Sequence, residues 1–320
     1  MTKISILRLI LTILTIPLVT MSLKVAHASE AHSAMQEAYK QYQTLMSENA
    51  FNEPLHIKSS FNDDLASGEI YALINHDFPT VSSHLLEAGQ WCDMLVLHVN
   101  VKGCYVMSSD ASPDPVANKS GEKDKGITLF VGRNHYQPIE DAHAMHYKVS
   151  VIQYDADYMK ATLSSETGPF GTSDYLLEFE VIPLTATTSF MHFKYSYNYG
   201  FMAKVALGGY LATLGRKKVG FTVDKYDENN KPVYVKGMQG IVERNSMRYF
   251  IAIKAFLDTY SETQETINRR IEHWYQLALP YKQQLAEIEG RNYLETKRQE
   301  FEKKVSLETA MAINASNSND

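Results

Sequence analysis

The chain has only two cysteines in 320 residues, Cys92 and Cys104, too few for a framework of several disulfides or for a thiolate-rich metal centre. It also lacks a G-x-S-x-G elbow, an H-E-x-x-H helix, a P-loop and a dinucleotide fingerprint. Serine-hydrolase, zinc-protease and nucleotide-dependent chemistries therefore have no motif to stand on. Long apolar runs are missing beyond the first 28 residues. The stretch Gly200 to Gly215 comes nearest, but it contains Lys204 and falls short of the roughly 20 apolar residues a bilayer crossing needs. Positive charge is in deficit too, with a formal net of −6, and a mildly acidic chain is a poor partner for nucleic acid or for anionic lipid surfaces.

What is present begins with an export signal. Lys3 and Arg8 precede an apolar core from Leu9 to Leu23, and Ala26-His27-Ala28 supplies a small-x-small cleavage site. The pattern predicts a signal peptide over 1–28, with Ser29 as the mature N-terminus and a periplasmic or secreted protein that is soluble after cleavage. Removing its three basic residues takes the formal charge from −6 to −9. An uncleaved anchor would need a longer apolar run, and no cysteine near the site invites lipidation. In an oxidising compartment the pair Cys92 and Cys104 is more often a disulfide than a metal site or a nucleophile. The 20 tyrosines suit a wet or amphipathic cavity, because each joins an apolar body to a polar tip.

Periodicity divides the rest. Residues 29–66 read as an N-terminal helix over 30 to 48, with Met35, Tyr42 and Met46 on one side, followed by a polar linker from Asn52 to Ser67. A strand at Gly68 to Asn75 precedes a helix opened by Asp77-Phe78-Pro79. Leu95 to Val106 alternates like a half-buried strand, and Ser108 to Lys125 has the composition of an exposed loop. After a short strand at Ile127 to Gly132 come four longer ones, at His146 to Tyr154, Tyr158 to Ser165, Thr172 to Ile182 and Thr187 to Tyr199, joined closely enough for an antiparallel meander. On the last, Met191, Phe193, Tyr195, Tyr197 and Tyr199 share a face opposite His192 and Lys194; on its neighbour Tyr175, Leu177, Phe179 and Val181 do the same. Gly200 to Gly215 is an apolar helix, Phe221 to Tyr234 a hairpin, and Gly240 to Tyr260 a second helix. Residues 261–311 form a helical extension whose charges around Arg291 to Lys304 read as a solvated face, and 312–320 a disordered tail.

This order resembles the helix-grip fold of the START-like (SRPBCC) superfamily over residues 67–260, on topology and on segments such as Gly68-Glu69-Ile70-Tyr71-Ala72, the Trp91-Cys92-Asp93 turn and the passage Tyr199-Gly200. The fold class expected is α+β: a curved antiparallel sheet of about seven strands around a long helix, with extra helices at both ends. The resemblance implies a deep apolar pocket for a lipid or a similar hydrophobic small molecule.

The residues expected to line it are Tyr175, Phe179, Phe193, Tyr195, Tyr197 and Tyr199 on the sheet and Met202 and Tyr210 on the Gly200 to Gly215 helix, with Arg244 available to hold a carboxylate or phosphate. Arg248 is an alternative anchor, and both arginines also fit a structural network around Glu243. The leading expectation is an exported protein that binds or carries a lipid. An alternative is a cyclase- or hydratase-like enzyme using Asp93, Tyr195 or Arg244, and another is a ligand-free protein whose C-terminal helices dock an envelope partner. No cofactor and no metal are expected: His135, His143 and His146 lie near Asp141, but their spacing matches no zinc signature.

Overall fold

Eight antiparallel strands form one curved sheet in the order β1-β2-β8-β7-β6-β5-β4-β3. The computed structural model describes residues 30–49, 51, 53–62, 64–107, 126–213, 215–260, 264–285 and 290–317. The expected signal peptide and the expected loop at 108–125 lie outside these residues, as does the side chain of Met202.

The strands are β1 (Leu55–Asn62), β2 (Leu65–Ile74), β3 (Val101–Met107), β4 (Gly126–Val131), β5 (His143–Tyr154), β6 (Met159–Thr167), β7 (Thr172–Pro183) and β8 (Ser189–Tyr199). From β4 to β8 each strand pairs with its predecessor, and β2 closes the arrangement by pairing with β8 from Leu65↔Asn198 to Ile74↔Ser189. Two helices connect β2 to β3. The first, α2 (Phe78–Leu85), is capped as its sequence predicts, with Asp77 Oδ1 accepting from Thr80 N at 2.7 Å.

The second, α3 (Ala88–Leu95), corrects two expectations. Trp91, Cys92 and Asp93 stand on a helix rather than a turn, and Leu95 to Asn100 winds out of that helix through Val96 N→Cys92 O and His98 N→Leu95 O before β3 begins. Met94, Leu95, Val96 and Leu97 are all buried, and an apolar run buried on every side carries no period to separate helix from strand. The disulfide Cys92–Cys104 joins α3 to β3. The expected linker from Asn52 to Ser67 is also mostly strand: β1 pairs with β2 as an edge hairpin, burying Leu55 and Ile57 behind lysine, serine and asparagine, the residues that blunt an exposed edge and hide it from a hydrophobic reading.

The helix that crosses the inner face of the sheet is α5 (Gly237–Asp258), 22 residues long and buried almost continuously from Val242 to Leu257. It lies on β2 at a close approach: a β carbon at Gly68 would run into Ser246 Oγ of α5. The Gly200 to Gly215 segment, expected to take this place, gives the shorter helix α4 (Phe201–Ala212), set at the end of the sheet with much of its apolar surface outward. A small two-stranded ribbon, β9 (Val223–Tyr226) and β10 (Pro232–Tyr234), connects α4 to α5.

The opposite face of the sheet is covered by the N-terminal helix, α1 (30–47), whose Met35, Tyr42 and Met46 pack on Tyr71, Tyr158, Ile182 and Phe190. After α5 come α6 (Gln264–Ala278), a short turn through Pro280, α7 (Lys282–Leu285) and α8 (Gly290–Asn317), which continues as helix through part of the expected tail. The stretch expected to be a solvated face buries Tyr293, Lys297, Glu300 and Phe301. Tyr293 stacks on Trp274 with centroids 4.6 Å apart, and its hydroxyl donates to Leu97 O at 2.9 Å.

Candidate ligand site between the sheet and helix α5

Strand alternation sends Tyr147 of β5, Tyr175 of β7 and Tyr195 and Tyr197 of β8 to the inner face, where Tyr249 of α5 meets them. Ring centroids are 5.2 Å apart for Tyr195 and Tyr249, 6.2 Å for Tyr175 and Tyr195, and 5.2 Å for Tyr175 and Tyr197. A bulge helps: the register of β7 against β8 shifts between Ser173 and Leu176, with Asp174 in the left-handed region at φ 51°, and this brings Tyr175 against Tyr197. Phe193 and Phe179 complete the apolar floor, fully buried.

The polar ends of these side chains define the chemistry. Burial, and then proximity to Tyr175 and Tyr249, hold Tyr147 and Tyr195 well above the ordinary tyrosine pKa. Burial likewise raises Tyr249 and Tyr197, with Arg248 and Arg244 respectively pulling the other way, and it pushes Tyr175 up to about 12 against a hydrogen bond from Thr172. All five are neutral hydroxyls at physiological pH, able both to donate and to accept. Within the described residues the hydroxyls of Tyr147, Tyr195, Tyr197 and Tyr249 make no hydrogen bond, whereas Tyr175 shares one of 2.8 Å with Thr172 Oγ1. Yet no tyrosine oxygen is among the sealed, unbonded polar atoms, and Tyr175, Tyr195, Tyr197 and Tyr249 keep between 4 % and 8 % of their surface accessible. Among the described residues these hydroxyls are therefore unbonded without being fully sealed.

Helix α5 adds charge to one side. Arg244 Nη1 donates to Val219 O at 3.2 Å and Arg248 Nη1 to Asn245 Oδ1 at 3.0 Å, both guanidiniums being buried. Their four-residue spacing puts them on one stripe beside Tyr197 and Tyr249. Glu243 is not their partner. It faces away and accepts from Ser59 Oγ, Phe221 N, Thr222 N and Thr222 Oγ1, pinning the ribbon and β1 to the head of α5. His98, in the turn after α3, lies 4.6 Å from the Tyr249 ring, and Asn100 N donates to its Nδ1, which puts a neutral ring's proton on Nε2.

Of the residues expected at the site, Tyr175, Phe179, Phe193, Tyr195, Tyr197 and Arg244 gather here. Tyr199 is buried further along β8, stacked on Phe61 at the end of the sheet, and Tyr210 is half-buried on α4 with Lys218 5.6 Å over its ring. Asp93, the proposed acid or base, stands on α3 with its carboxylate 3.7 Å from Arg270 of α6. Tyr147 and Tyr249 were missed although their alternation and helical spacing were there to be read; nothing in the sequence points to His98.

Two other polar groups lie elsewhere. On the outer face Glu178, Glu180 and His192 offer ligand atoms within 4.8 Å of one another, but Lys160 Nζ already sits 2.8 Å from Glu178 and 3.8 Å from Glu180, so the arrangement is complete as an ion network. A surface cleft of about 780 Å³ runs along α6 past His76, Asp258 and His273. There each histidine Nε2 lies 2.9 Å from a separate Asp258 oxygen, tying the β2–α2 turn and α6 to the end of α5.

The strand order, the helix pair between β2 and β3, and α5 laid across the inner face make this a START-like, helix-grip fold. No family model and no curated protein matches the chain. Solved structures similar to it include a START superfamily protein from Mycobacterium smegmatis, 11% identical and covering 48% of this chain and 93% of that one at a TM-score of 0.29. They also include human StAR-related lipid transfer protein 5, at 10% identity, 58% and 90% coverage and a TM-score of 0.28. Norcoclaurine synthase from Thalictrum flavum is similar at 10% identity, 48% and 91% coverage and a TM-score of 0.31.

Proposed function

We propose that this is an exported protein that binds or carries a hydrophobic small molecule of the lipid class, seated between the sheet and α5 with its polar group among the tyrosine hydroxyls. The observation that carries the reading is the set of inward hydroxyls left open by the fold. Leaving a buried hydroxyl unbonded costs about 1 to 3 kcal/mol, so a cluster of them beside apolar Phe179 and Phe193 favours a ligand with an apolar body and a hydroxyl, carbonyl or anionic head. Arg244 and Arg248 supply the positive end of such a gradient.

Native mass spectrometry and lipid extraction of protein purified from its own compartment test this. A co-purifying small molecule is expected, with occupancy lowered about tenfold in the Tyr195→Phe/Tyr249→Phe double variant, since each lost hydrogen bond is worth about 0.5 to 1.5 kcal/mol. Repeated recovery of empty protein, or equal occupancy in the variant, would overturn it. Export is read from the signal-like N-terminus together with the disulfide. Secreted or periplasmic protein whose N-terminal residue is Ser29 is the expected result, and cytosolic retention of the full-length chain the opposite one.

A cyclase- or hydratase-like reaction in the same cavity is the second reading. The feature that favours it is His98 packed against the Tyr249 ring, an imidazole beside a neutral phenol in a mostly apolar setting.

A further inference from the structure

We propose, resting on the ligand reading above, that the polar group this site selects is a hydrogen-bond donor, an alcohol hydroxyl on an apolar body, and that Tyr175 selects it. Thr172 Oγ1 lies 2.5 Å from Pro169 O and 2.8 Å from the Tyr175 hydroxyl. A carbonyl oxygen only accepts, so the single proton of Thr172 goes to Pro169. Thr172 Oγ1 then accepts from Tyr175, whose own proton is committed in turn. What the neutral Tyr175 hydroxyl has left to offer is lone pairs, an acceptor without a donor.

A second hydroxyl repeats the pattern. Ser165 pairs with Tyr175 across β6 and β7, is buried, and by strand alternation shares the inner face with Ala161 and Leu163. Its proton goes to Thr167 O at 3.1 Å. Two paired inward residues thus have their donors taken up within the β6–β7 connection. A carboxylate, a phosphate oxygen or an ether brought to them would set lone pair against lone pair, whereas an alcohol would find an acceptor. The unbonded Tyr197 hydroxyl, on the ring stacked against Tyr175, is able to donate to the same alcohol oxygen.

The backbone fixes this polarity. Between the pairs Ser173↔Asn198 and Leu176↔Ser196, Asp174 and Tyr175 together stand opposite Tyr197, so β7 carries one extra residue. Asp174 takes up the excess at φ 51°, its carboxylate accepting from Ser173 Oγ and Asn198 Nδ2. Thr172 and Tyr175 are three residues apart, and a regular strand would send them to opposite faces; the bulge lets their hydroxyls meet. Gly168 closes the other flank, since a β carbon there would run into Cε2 of Tyr175 and Oγ1 of Thr172. The Tyr175 ring is held between Gly168 and Tyr197, and its hydroxyl keeps one partner.

Binding of 1-hexadecanol and of methyl hexadecyl ether, each supplied from cyclodextrin and read by native mass spectrometry, tests the proposal. The two probes share an apolar body, and only the alcohol can donate. Wild type is expected to bind the alcohol about tenfold more tightly, the worth of one neutral hydrogen bond. Tyr175→Phe should lose the preference by weakening the alcohol. Thr172→Val should lose it from the other side: Tyr175 recovers its proton, donates to the ether oxygen, and ether binding rises about severalfold. A merely structural role for Thr172 would weaken both probes alike. Equal binding of the two probes by wild type, or an unchanged preference in Thr172→Val, overturns the proposal and leaves the ligand reading standing. Failure of wild type to bind either probe overturns that reading, and the selectivity falls with it.

Discussion

His192, on the outer face of β8, is held between two carboxylates, with Nδ1 2.9 Å from Glu180 and Nε2 3.2 Å from Glu69. Its ring is the last in a column that runs from His56 through Tyr42 and Tyr71, with centroid separations of 5.1, 4.1 and 4.5 Å, so the ion network touches α1 through Tyr42. Burial opposes charge on the imidazole, but the hydrogen bonds it donates to Glu180 and Glu69 outweigh it and raise the pKa above the ordinary histidine value. A raised folded pKa gives stability that is complete below the unfolded value, about 6.5, and is lost as pH rises through the folded value. Glu69 behaves oppositely: the bond from His192 leads the effects that bring it down to about 2, so its contribution is present above about pH 4.3 and fades as the medium becomes strongly acidic. Replacing His192→Gln is therefore expected to cost about 2 kcal/mol near pH 6, and the deficit should shrink as pH rises through the raised folded value. Urea unfolding of both proteins across this range measures it, and a deficit that does not change with pH would refute the linkage.

At the scale of elements, the C-terminal helices are part of the body rather than an appendage. Lys297 of α8 is buried, with Nζ 2.6 Å from Val101 O and 2.8 Å from Glu300, and Glu300 also accepts from Lys102 of β3 at 2.8 Å. Burial brings Lys297 down to about 8, against the pull of the neighbouring Glu300 carboxylate. One carboxylate thus serves two buried ammonium groups. Glu300→Ala strands both and is expected to cost about 3 to 5 kcal/mol, whereas Lys297→Met leaves the Lys102–Glu300 pair intact and should cost about 1 kcal/mol or less. Equal losses in chemical denaturation would contradict this account. The same helix shows why part of the fold was hidden in the sequence. Lysine and glutamate in a charged run read as a solvated face, and their partners lie about 200 residues away on β3. Helix α5 was legible as a helix, but its place across the sheet was not, since Glu243, Arg244 and Arg248 give its head a polar look and the bonds that satisfy Glu243 come from Ser59, Phe221 and Thr222. Strands β7 and β8 were legible because their period of two survives in residue type alone, aromatic inward and charged outward, and most of the site's sheet residues followed from that.

Across the whole molecule the sheet acts as a partition. Its inner face carries the tyrosine and arginine cluster under α5, and its outer face carries the His192 network and the α1 cluster of Met35, Tyr42, Met46, Tyr158 and Phe190. Because the side-chain period along a strand is two, neighbouring residues of β8 serve different sides: His192 and Lys194 face outward while Phe193 and Tyr195 face inward, toward α5. Damage to one face should therefore lower stability without abolishing what the other does. Tyr42→Ala removes a stacked ring from the outer cluster and is expected to cost about 3 kcal/mol, lowering Tm. The rise in Tm that a lipid extract produces should stay the same, since ligand stabilisation depends on occupancy of the native state and not on the starting stability. Tyr249→Ala should do the reverse in kind, lowering Tm and also abolishing most of the ligand-dependent rise, because it removes the helix side of the tyrosine cluster. Thermal melts of the two variants with and without extract distinguish the cases. A ligand-dependent rise lost equally in Tyr42→Ala would mean that the two faces are coupled through the sheet, and that α1 helps set the shape of the inner face it does not touch.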